Sequence, residues 1–133
     1  MLAQDMKLPA EVVEFIKKAE QKALATYGEE GVNVVPLSMV TVDEDSIIIC
    51  DCFMDKTRSN VRQDPRAALA FWSGFEGMQV KGTIVYEKDG DCFGRFSEKL
   101  KVDHPERKLC GVLVFTPEKV YDLAPKNAGA RII

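Results

Sequence analysis

The sequence has few of the residues from which metal centres and catalytic triads are built. Its 133 residues include a single histidine, His104, and four cysteines whose spacing matches no metal-binding pattern. His104 lies in the segment DHPERK without nearby ligand or triad partners, which favours a surface histidine. We therefore expect no metal site, and we expect free thiols, typical of a reducing compartment, at Cys50, Cys52, Cys92 and Cys110.

A surplus of positive charge is also absent, since the formal net charge is −3. Nucleic acids and anionic membranes are bound through clustered Lys and Arg, so neither is an expected partner. A small phosphorylated ligand needs only one local cation and remains allowed. No apolar run approaches the length of a membrane span, and residues 1–23 are too charged for a secretory signal. A cytoplasmic protein is predicted.

The length allows one domain, residues 1–133, which can bury roughly two-thirds of its unfolded surface. A helix is predicted to begin at Pro9, because apolar residues recur after it at helical spacing. A second helix is predicted over DGDCFGRFSEKLKV, crossing one end of a barrel. The residues expected on the apolar faces of these two helices are Val12, Val13, Ile16, Ala19 and Ala23 in the first, and Phe93, Phe96 and Leu100 in the second.

Strand patterns occupy most of the remaining chain. The segments ALATY, VNVVPLSMVTV and SIIIC are separated by the turns GEEG and DED, which predicts three antiparallel strands. AALAFW and GMQVKGTIVYE continue the pattern, and in the latter Met78, Val80, Gly82, Ile84 and Tyr86 alternate with the residues between them. LCGVLVFTP and KVYDL are the last predicted strands. Six or more strands in a small chain favour closure into a barrel, because closure removes exposed edges.

The segment SIIICDCFMDKTRSNVRQDP, residues 46–65, runs an apolar strand directly into a short helix. Asp55 is predicted as the N-cap of this helix, and Asp64 before Pro65 as its end. Lys56 and Thr57 lie at the junction, where free N–H groups and the helix dipole favour an anion such as phosphate. From the residues alone, the favoured interpretation of Lys56 is a solvated surface lysine, and one Lys-Thr pair does not overturn it.

Three segments together resemble the FMN-binding split barrel, the superfamily of pyridoxamine 5′-phosphate oxidase and the small bacterial FMN-binding proteins. They are NVVPLSMV, the run DCFMDKTRSNVRQDPRAALAF, and GMQVKGTIVY, and the end YDLAPKNAGARII is similar to the tail of short members. The resemblance covers nearly the whole chain. It implies an α+β fold, mainly β, with a six-stranded antiparallel split β-barrel and flanking helices.

The resemblance also implies a homodimer that binds two FMN molecules at sites formed between the subunits. Lys56 and Thr57 match the phosphate contacts, and Gln79 matches a glutamine that hydrogen-bonds the flavin. The remaining matches line the flavin ring (Pro36, Leu37, Ser38 and Met39) or offer backbone contacts to the ring and ribityl chain (Asp51, Cys52, Phe53 and Met54). From the residues alone, Leu37 and Met39 can equally be plain core, and Gln79 can face solvent.

Two departures from the larger oxidases bear on function. Asp55 precedes Lys56 where those oxidases carry a second cation, so phosphate affinity is expected to be modest unless Arg58 or Arg62 moves in. The arginine- and tryptophan-rich tail that binds the pyridoxal group is also missing, and the chain has only Trp72. Oxidation of pyridoxamine 5′-phosphate is therefore not expected.

The resulting hypothesis is an FMN-dependent oxidoreductase or flavin-mediated electron carrier with a small-molecule or protein redox partner. Ser38 and Gln79 are its expected polar contacts, and Phe53 or Trp72 is expected to shield the ring. No residue stands out as a general acid or base, so the catalytic residues are unassigned. The alternatives are a non-catalytic flavin-binding or sensing protein, or a relative that binds a deazaflavin or haem, for which His104 is the only candidate ligand.

Overall fold

The computed structural model of the chain describes residues 7–133. This part contains helices Ala10–Lys18 (α1), Asp55–Gln63 (α2) and Gly90–Asp103 (α3), and a short 3-10 helix at Pro125–Asn127. Its strands are Gln21–Gly28 (β1), Gly31–Pro36 (β2), Val40–Asp43 (β3), Ser46–Asp51 (β4), Arg66–Ser73 (β5), Glu76–Glu87 (β6) and Gly111–Asp122 (β7). The predicted α+β class, mainly β, is confirmed.

The strands form one antiparallel sheet in the order β2-β1-β5-β6-β7-β4-β3. The edge strands β2 and β3 are joined by residues 37–39 alone, a link that spans at most about 14 Å from Pro36 to Val40. A flat sheet of seven strands at about 4.8 Å spacing would hold its edges about 29 Å apart. The sheet must therefore curl until its two edges meet.

The curled sheet is an open barrel. Within residues 7–133, the strand pairing contains no ladder between β2 and β3, and the sheet has seven strands rather than six. The prediction of a closed six-stranded barrel is not confirmed in that detail. Both edges nevertheless share one hydrophobic core, since Val35 and Leu37 from one side and Val40 and Val42 from the other pack against the same buried cluster.

The core fills the inner face of the curl. Its fully buried members come from the five inner strands of the sheet and from α1, whose Val12 and Ile16 belong to the same cluster. A second, smaller cluster lies between the sheet and α3, where Phe96 and Leu100 pack against Ile48 and Val112. The predicted faces of both helices are thus confirmed at their centres. Along residues 7–133, no helix is long and apolar enough to cross a bilayer.

The first helix is shorter than predicted. It begins at Ala10, with Pro9 as its N-cap, and it ends at Lys18. Ala19 is a buried C-cap, whereas Ala23 lies in β1 and its assignment to the helix was wrong. Pairing of β1 with β2 and β5 overrides the helical spacing, because each paired residue gains interstrand hydrogen bonds. Residues 1–6 lie outside the described part of the chain.

Two strand predictions were also wrong in detail. VNVVPLSMVTV forms β2 and β3 on opposite edges of the sheet rather than one strand. LCGVLVFTP and KVYDL share the single strand β7, because a bulge in β7 lets the pairing continue past Pro117. Glu118 is the extra residue, between Pro117, which pairs with Gly82, and Lys119, which pairs with Lys81. The alternation predicted for β6 is confirmed, with Val80, Gly82 and Ile84 buried.

The bulge makes a prediction about Gly82. An added Cβ there would overlap the Thr116 carbonyl oxygen and lie 3.0 Å from Phe115 Cε1. Since a backbone oxygen in a ladder cannot move aside cheaply, Gly82→Ala should lower the free energy of unfolding by about 1–3 kcal/mol in urea titrations. Gly94→Ala is the control, because nothing lies within 4 Å of its added Cβ on α3. Equal stability of the two variants would contradict this account of the bulge.

Candidate functional site

A shallow hollow lies at the seam where the two edges of the sheet meet. Its volume is about 40 Å³. One wall is the link after β2, and the other is the end of β4 with the residues leading into α2. The lining residues are Pro36, Leu37, Ser38, Met39, Ile49, Cys50, Cys52, Phe53 and Met54. The structure therefore brings together the two segments that were predicted, separately, to contact a flavin.

The walls of the hollow differ in how they are held. The Leu37 N–H donates to the Lys22 carbonyl at 2.9 Å and the Cys50 N–H to the Met39 carbonyl at 3.2 Å, so each end of the link is tied to a different edge. Leu37 packs against the main core and Met39 against the smaller cluster, which supports a packing role for both. Phe53 has 78% of its surface exposed beside the hollow.

Asp51 anchors the wall formed by residues 52–54. Its carboxylate is fully buried and accepts hydrogen bonds from the Met54 N–H at 2.8 Å, Arg58 Nε at 2.8 Å and the Tyr86 hydroxyl at 2.6 Å. Its carbonyl oxygen accepts from the Cys110 N–H at 2.7 Å. Asp51 therefore positions the hollow from behind, with its carboxylate turned to these three donors.

The charges of this network are strongly coupled. Burial raises the pKa of Asp51, but the hydrogen bonds from Arg58, Tyr86 and the Met54 N–H outweigh burial and hold it below the usual value. Burial, followed by the hydrogen bond to Asp51, raises the pKa of Tyr86 to about 12. The bond to Asp51 also raises the pKa of Arg58. Asp51 and Arg58 are thus an ion pair with a neutral phenol beside it.

The same hydrogen-bond network fixes the beginning of α2, and the prediction of Asp55 as its N-cap was wrong. Met54 is the N-cap and Asp55 the first helical residue, and no side chain of the cap closes the helix. The N–H of Met54 is satisfied instead by the carboxylate of Asp51, from the end of the preceding strand. The predicted end of the helix is confirmed, because Asp64, before Pro65, is an extended C-cap.

Lys56 and Thr57 differ in exposure. The Lys56 side chain is 63% exposed and its ammonium forms an ion pair with Glu30 at 3.0 Å. Thr57 is buried, and its hydroxyl lies 3.5 Å from Asn33 Nδ2 as an acceptor. Of this pair, Lys56 is therefore the side chain that a phosphate from solvent can reach. The contact with Glu30 is a competitor that the sequence did not indicate.

A wider groove of about 460 Å³ lies beside this junction, between the turn after β1 and the flank of α2. Three carboxylates line it against one ammonium, so its charge disfavours an anion. The spare cations considered from the sequence are engaged elsewhere, Arg58 with Asp51 and Arg62 over the ring of Tyr86 at 5.3 Å. The lining residues are Gly28, Glu29, Glu30, Gly31, Val32, Asn33, Asp55, Lys56, Ser59, Asn60 and Gln63.

Gln79 lies on the outer face of the sheet. Ladder pairing places it in a row with Pro36, Ala23, Ala70 and Tyr121. Pro36 and Gln79 are three strands apart, or about 14 Å, so within one chain Gln79 does not reach the hollow. Its contact with a flavin stays a prediction.

Sequence reasoning missed the network around Asp51. Two signals pointed to it: an aspartate ends a strand of four apolar residues, and Tyr86 occupies an inward position of β6. A buried carboxylate and a phenol that points toward the core both need hydrogen-bond partners, so a contact between the two side chains could have been predicted. Gly111 completes the arrangement, because a Cβ there would overlap the ring of Tyr86.

Comparison with known proteins identifies the family. The sequence profile of the pyridoxamine 5′-phosphate oxidase family matches residues 8–124. The chain belongs to this family. An uncharacterised protein of Methanocaldococcus jannaschii is 31% identical over 134 residues, which cover 96% of this chain and 89% of that protein.

Solved structures of other proteins have the same fold. HupZ of Group A Streptococcus has a TM-score of 0.80 at 18% identity, over 92% of this chain and 98% of its own. An FMN-binding protein of Syntrophomonas wolfei has a TM-score of 0.71 at 20% identity, over 85% and 86%. At these identities the likeness concerns the fold alone.

The hydrogen bond of Tyr86 predicts an alkaline loss of stability. Since the pKa of Tyr86 is raised to about 12, the unfolded chain ionises this phenol first, near its ordinary value of about 10. The stabilisation is complete below about pH 10 and is lost as the pH rises toward 12. Urea unfolding from pH 8 upward should show this decrease in the free energy of unfolding. The decrease should be smaller in Tyr86→Phe, which has no phenol to ionise at this position. Tyr121→Phe, on the outer face, is the control, and identical profiles for the wild type and Tyr86→Phe would contradict the assignment.

Proposed function

We propose that the protein binds FMN and acts as an FMN-dependent oxidoreductase or flavin-mediated electron carrier, in the form of a homodimer with two shared sites. The observation that carries the proposal is the hollow at the seam. It joins residues 36–39 to residues 52–54 beside the start of α2, where Lys56 is available to a phosphate. Membership in the pyridoxamine 5′-phosphate oxidase family supports the same proposal.

The size of the hollow favours a shared site. Pockets that enclose ligands of this class typically have volumes of about 300–1,000 Å³, whereas this hollow has about 40 Å³. One chain therefore covers only one side of such a ligand. A second chain is needed to cover the opposite side of a flavin ring.

The outer face of the sheet is suited to that second chain. Val32 and Val34 are 73% and 66% exposed there. Beside them β1 and β5 present small residues that let another backbone approach closely, namely Ala23, Ala25, Ala68 and Ala70. The row that begins at Pro36 and continues to Gln79 crosses this face. Two copies packed here in opposite directions would bring the Gln79 of one toward the Pro36 of the other, which gives Gln79 its predicted role.

The phosphate contact is proposed at the start of α2. The first turn of the helix offers free N–H groups, and Lys56 adds an ammonium when it leaves Glu30. Asp55, Glu29 and Glu30 lie in the adjoining groove and oppose the anion. This balance supports a modest affinity, as the sequence predicted.

FMN supplies hydride and single-electron chemistry when it is bound. The chain's part is to position the ring and exclude water. Leu37, Met39 and Met54 offer apolar surface at the hollow, Ser38 a hydroxyl, and Phe53 an exposed ring that can cover the site. A nicotinamide or a protein is proposed as redox partner rather than pyridoxamine 5′-phosphate, because a second phosphate would need its own cation and Lys56 is already assigned to the flavin phosphate. The cytoplasmic location stays a prediction.

The alternatives share this site. A flavin-binding or sensing protein would hold FMN without turnover, whereas a deazaflavin or haem protein would differ in its visible spectrum. Anaerobic addition of NADH, NADPH and pyridoxamine 5′-phosphate to the FMN-loaded protein distinguishes an oxidoreductase from a flavin-binding or sensing protein. Bleaching of the flavin absorbance by a nicotinamide supports an oxidoreductase. Fast reduction by pyridoxamine 5′-phosphate alone would contradict the proposed choice of redox partner.

The phosphate contact predicts opposite effects of two neighbouring substitutions. Lys56→Ala should weaken FMN binding by about 1.5–3 kcal/mol, the usual contribution of a hydrogen bond to a charged group. Glu30→Gln should strengthen it, since the 3.0 Å ion pair no longer holds the ammonium. Riboflavin, which lacks the phosphate, should bind both variants and the wild type alike in calorimetric titrations. Equal wild-type affinity for FMN and riboflavin would disprove the contact.

The shared site predicts that dimer formation and FMN binding are lost together. Sedimentation should give twice the chain mass of 14.8 kDa, and FMN should stabilise the dimer by mass action. Val34→Glu, on the outer face, should produce a monomer that no longer binds FMN. Val102→Glu is the matched control, because Val102 is 82% exposed on α3, which packs against β4 and β7 rather than against β2. A folded monomer that binds FMN as tightly as the wild type would rule out a site between subunits.

A further inference from the structure

All four cysteines of the chain lie on one side of the fold. Cys50, Cys52 and Cys92 pack against the small cluster between the sheet and α3. The Cys110 thiol donates a hydrogen bond to the Cys52 carbonyl oxygen, with 3.5 Å between Sγ and oxygen. All four are free thiols, and each is partly exposed. Among residues 7–133, no group of His, Cys, Asp and Glu has metal-binding geometry, so a metal does not account for the clustering.

Cys52 and Cys110 lie at the same end of neighbouring strands. The ladder between β4 and β7 pairs Cys50 with Val112 and ends with Asp51 opposite Gly111. Cys52 follows Asp51 and Cys110 precedes Gly111, so both residues lie just beyond this last pair. The contact between the Cys110 thiol and the Cys52 carbonyl oxygen holds them next to each other, and a disulfide needs Cα atoms about 4.4–6.8 Å apart.

We propose that Cys52 and Cys110 form a reversible disulfide that ties the wall of the hollow to the start of β7. Cys52 lines the hollow. In the reduced protein the Cys110 N–H donates to the Asp51 carbonyl oxygen at 2.7 Å, so the two segments are already in contact before the disulfide forms. The bond requires neither a metal nor a bound flavin.

The other cysteine pairs are less suitable. A bond between Cys50 and Cys52 would have to close across Asp51 alone, whose buried carboxylate and carbonyl oxygen are both held by hydrogen bonds. Burial, followed by the charge of Cys52, raises the pKa of Cys50 to about 11, so Cys50 is a poor thiolate. Cys92 belongs to α3 rather than to either strand. Burial also raises the pKa of Cys52, but the nearby guanidinium of Arg107 opposes it.

The oxidant that we propose for the Cys52 and Cys110 thiols is a low-molecular-weight disulfide such as oxidised glutathione. The Cys110 thiolate attacks one sulfur of the oxidant, which forms a mixed disulfide and releases one glutathione thiolate. The Cys52 thiolate then attacks the Cys110 sulfur and releases the second. The two protein thiols lose two electrons and two protons in total, and the oxidant is reduced to two thiols.

The test is equilibration of the protein in glutathione buffers of graded ratio, followed by alkylation and non-reducing peptide mapping. The intact mass should fall by two hydrogen atoms, and the segment LCGVLVFTPEK should be linked to the segment that contains Cys52. Trypsin leaves Cys50 and Cys52 on one peptide, because no Lys or Arg lies between them. The link must therefore be mapped in Cys50→Ser, in which it should persist.

Matched variants keep the outcome decisive. Cys92→Ser should form the link as the wild type does, whereas Cys110→Ser should lose it and collect a glutathione adduct at Cys52. The urea midpoint of the oxidised wild type should exceed that of the reduced form, and it should be unchanged by oxidation in Cys110→Ser. A link between Cys50 and Cys92, or four alkylated thiols at the most oxidising ratio, would overturn the proposal.

Discussion

The link formed by residues 37–39 is the constraint on which the rest of the structure depends. It joins strands at opposite edges of a seven-stranded sheet, so the sheet can only satisfy it by curling. The curl gives both edges one shared core and creates a seam where they meet without pairing. The hollow lies at this seam, and α2 begins beside it. The site is therefore a consequence of the connection itself rather than an addition to a finished barrel.

Asp51 determines how much positive charge the site has to offer. Its buried carboxylate requires Arg58 as an ion-pair partner, because an unpaired charge in this position would be costly. Arg58 is thereby unavailable to a ligand. Arg62 is engaged with the ring of Tyr86, which donates to the same carboxylate. Lys56 is left as the cation of the groove beside α2, and it is shared with Glu30. A structural requirement thus sets the electrostatics next to the hollow.

Local patterns predicted the elements that depend on local physics. The alternation along β6, the inward face of α3 and the end of α2 before Pro65 all follow from side-chain period or backbone restriction, and all are found in the structure. The split of VNVVPLSMVTV was not predictable in the same way. Its two halves both face one core, so the apolar pattern continues across the link while the chain passes from one edge to the other.

Non-local contacts account for the remaining misses. Asp51 and Tyr86 are 35 residues apart, and their hydrogen bond arises only when β4, β6 and β7 have paired. The ion pair of Lys56 depends on the turn after β1 in the same manner. At Ala23 a local pattern gave a wrong prediction. The residue continues the helical spacing of α1 in the sequence, but pairing with β5 places it in β1. For the candidate site, therefore, resemblance indicated which segments meet, and only the structure showed which charges are free.

The small hollow and the exposed outer face can both be explained by the same missing element, a second copy of the chain. A single chain leaves Val32 and Val34 in water and covers only one side of a ring-shaped ligand. Burying the valines and enclosing the ligand require the same event, the approach of a second sheet, so their free energies are coupled. The small alanines on β1 and β5 serve both purposes, because close approach of the sheets shortens the distance from Gln79 of one copy to the hollow of the other. On the proposed arrangement, selection for ligand binding and for assembly would act on the same residues.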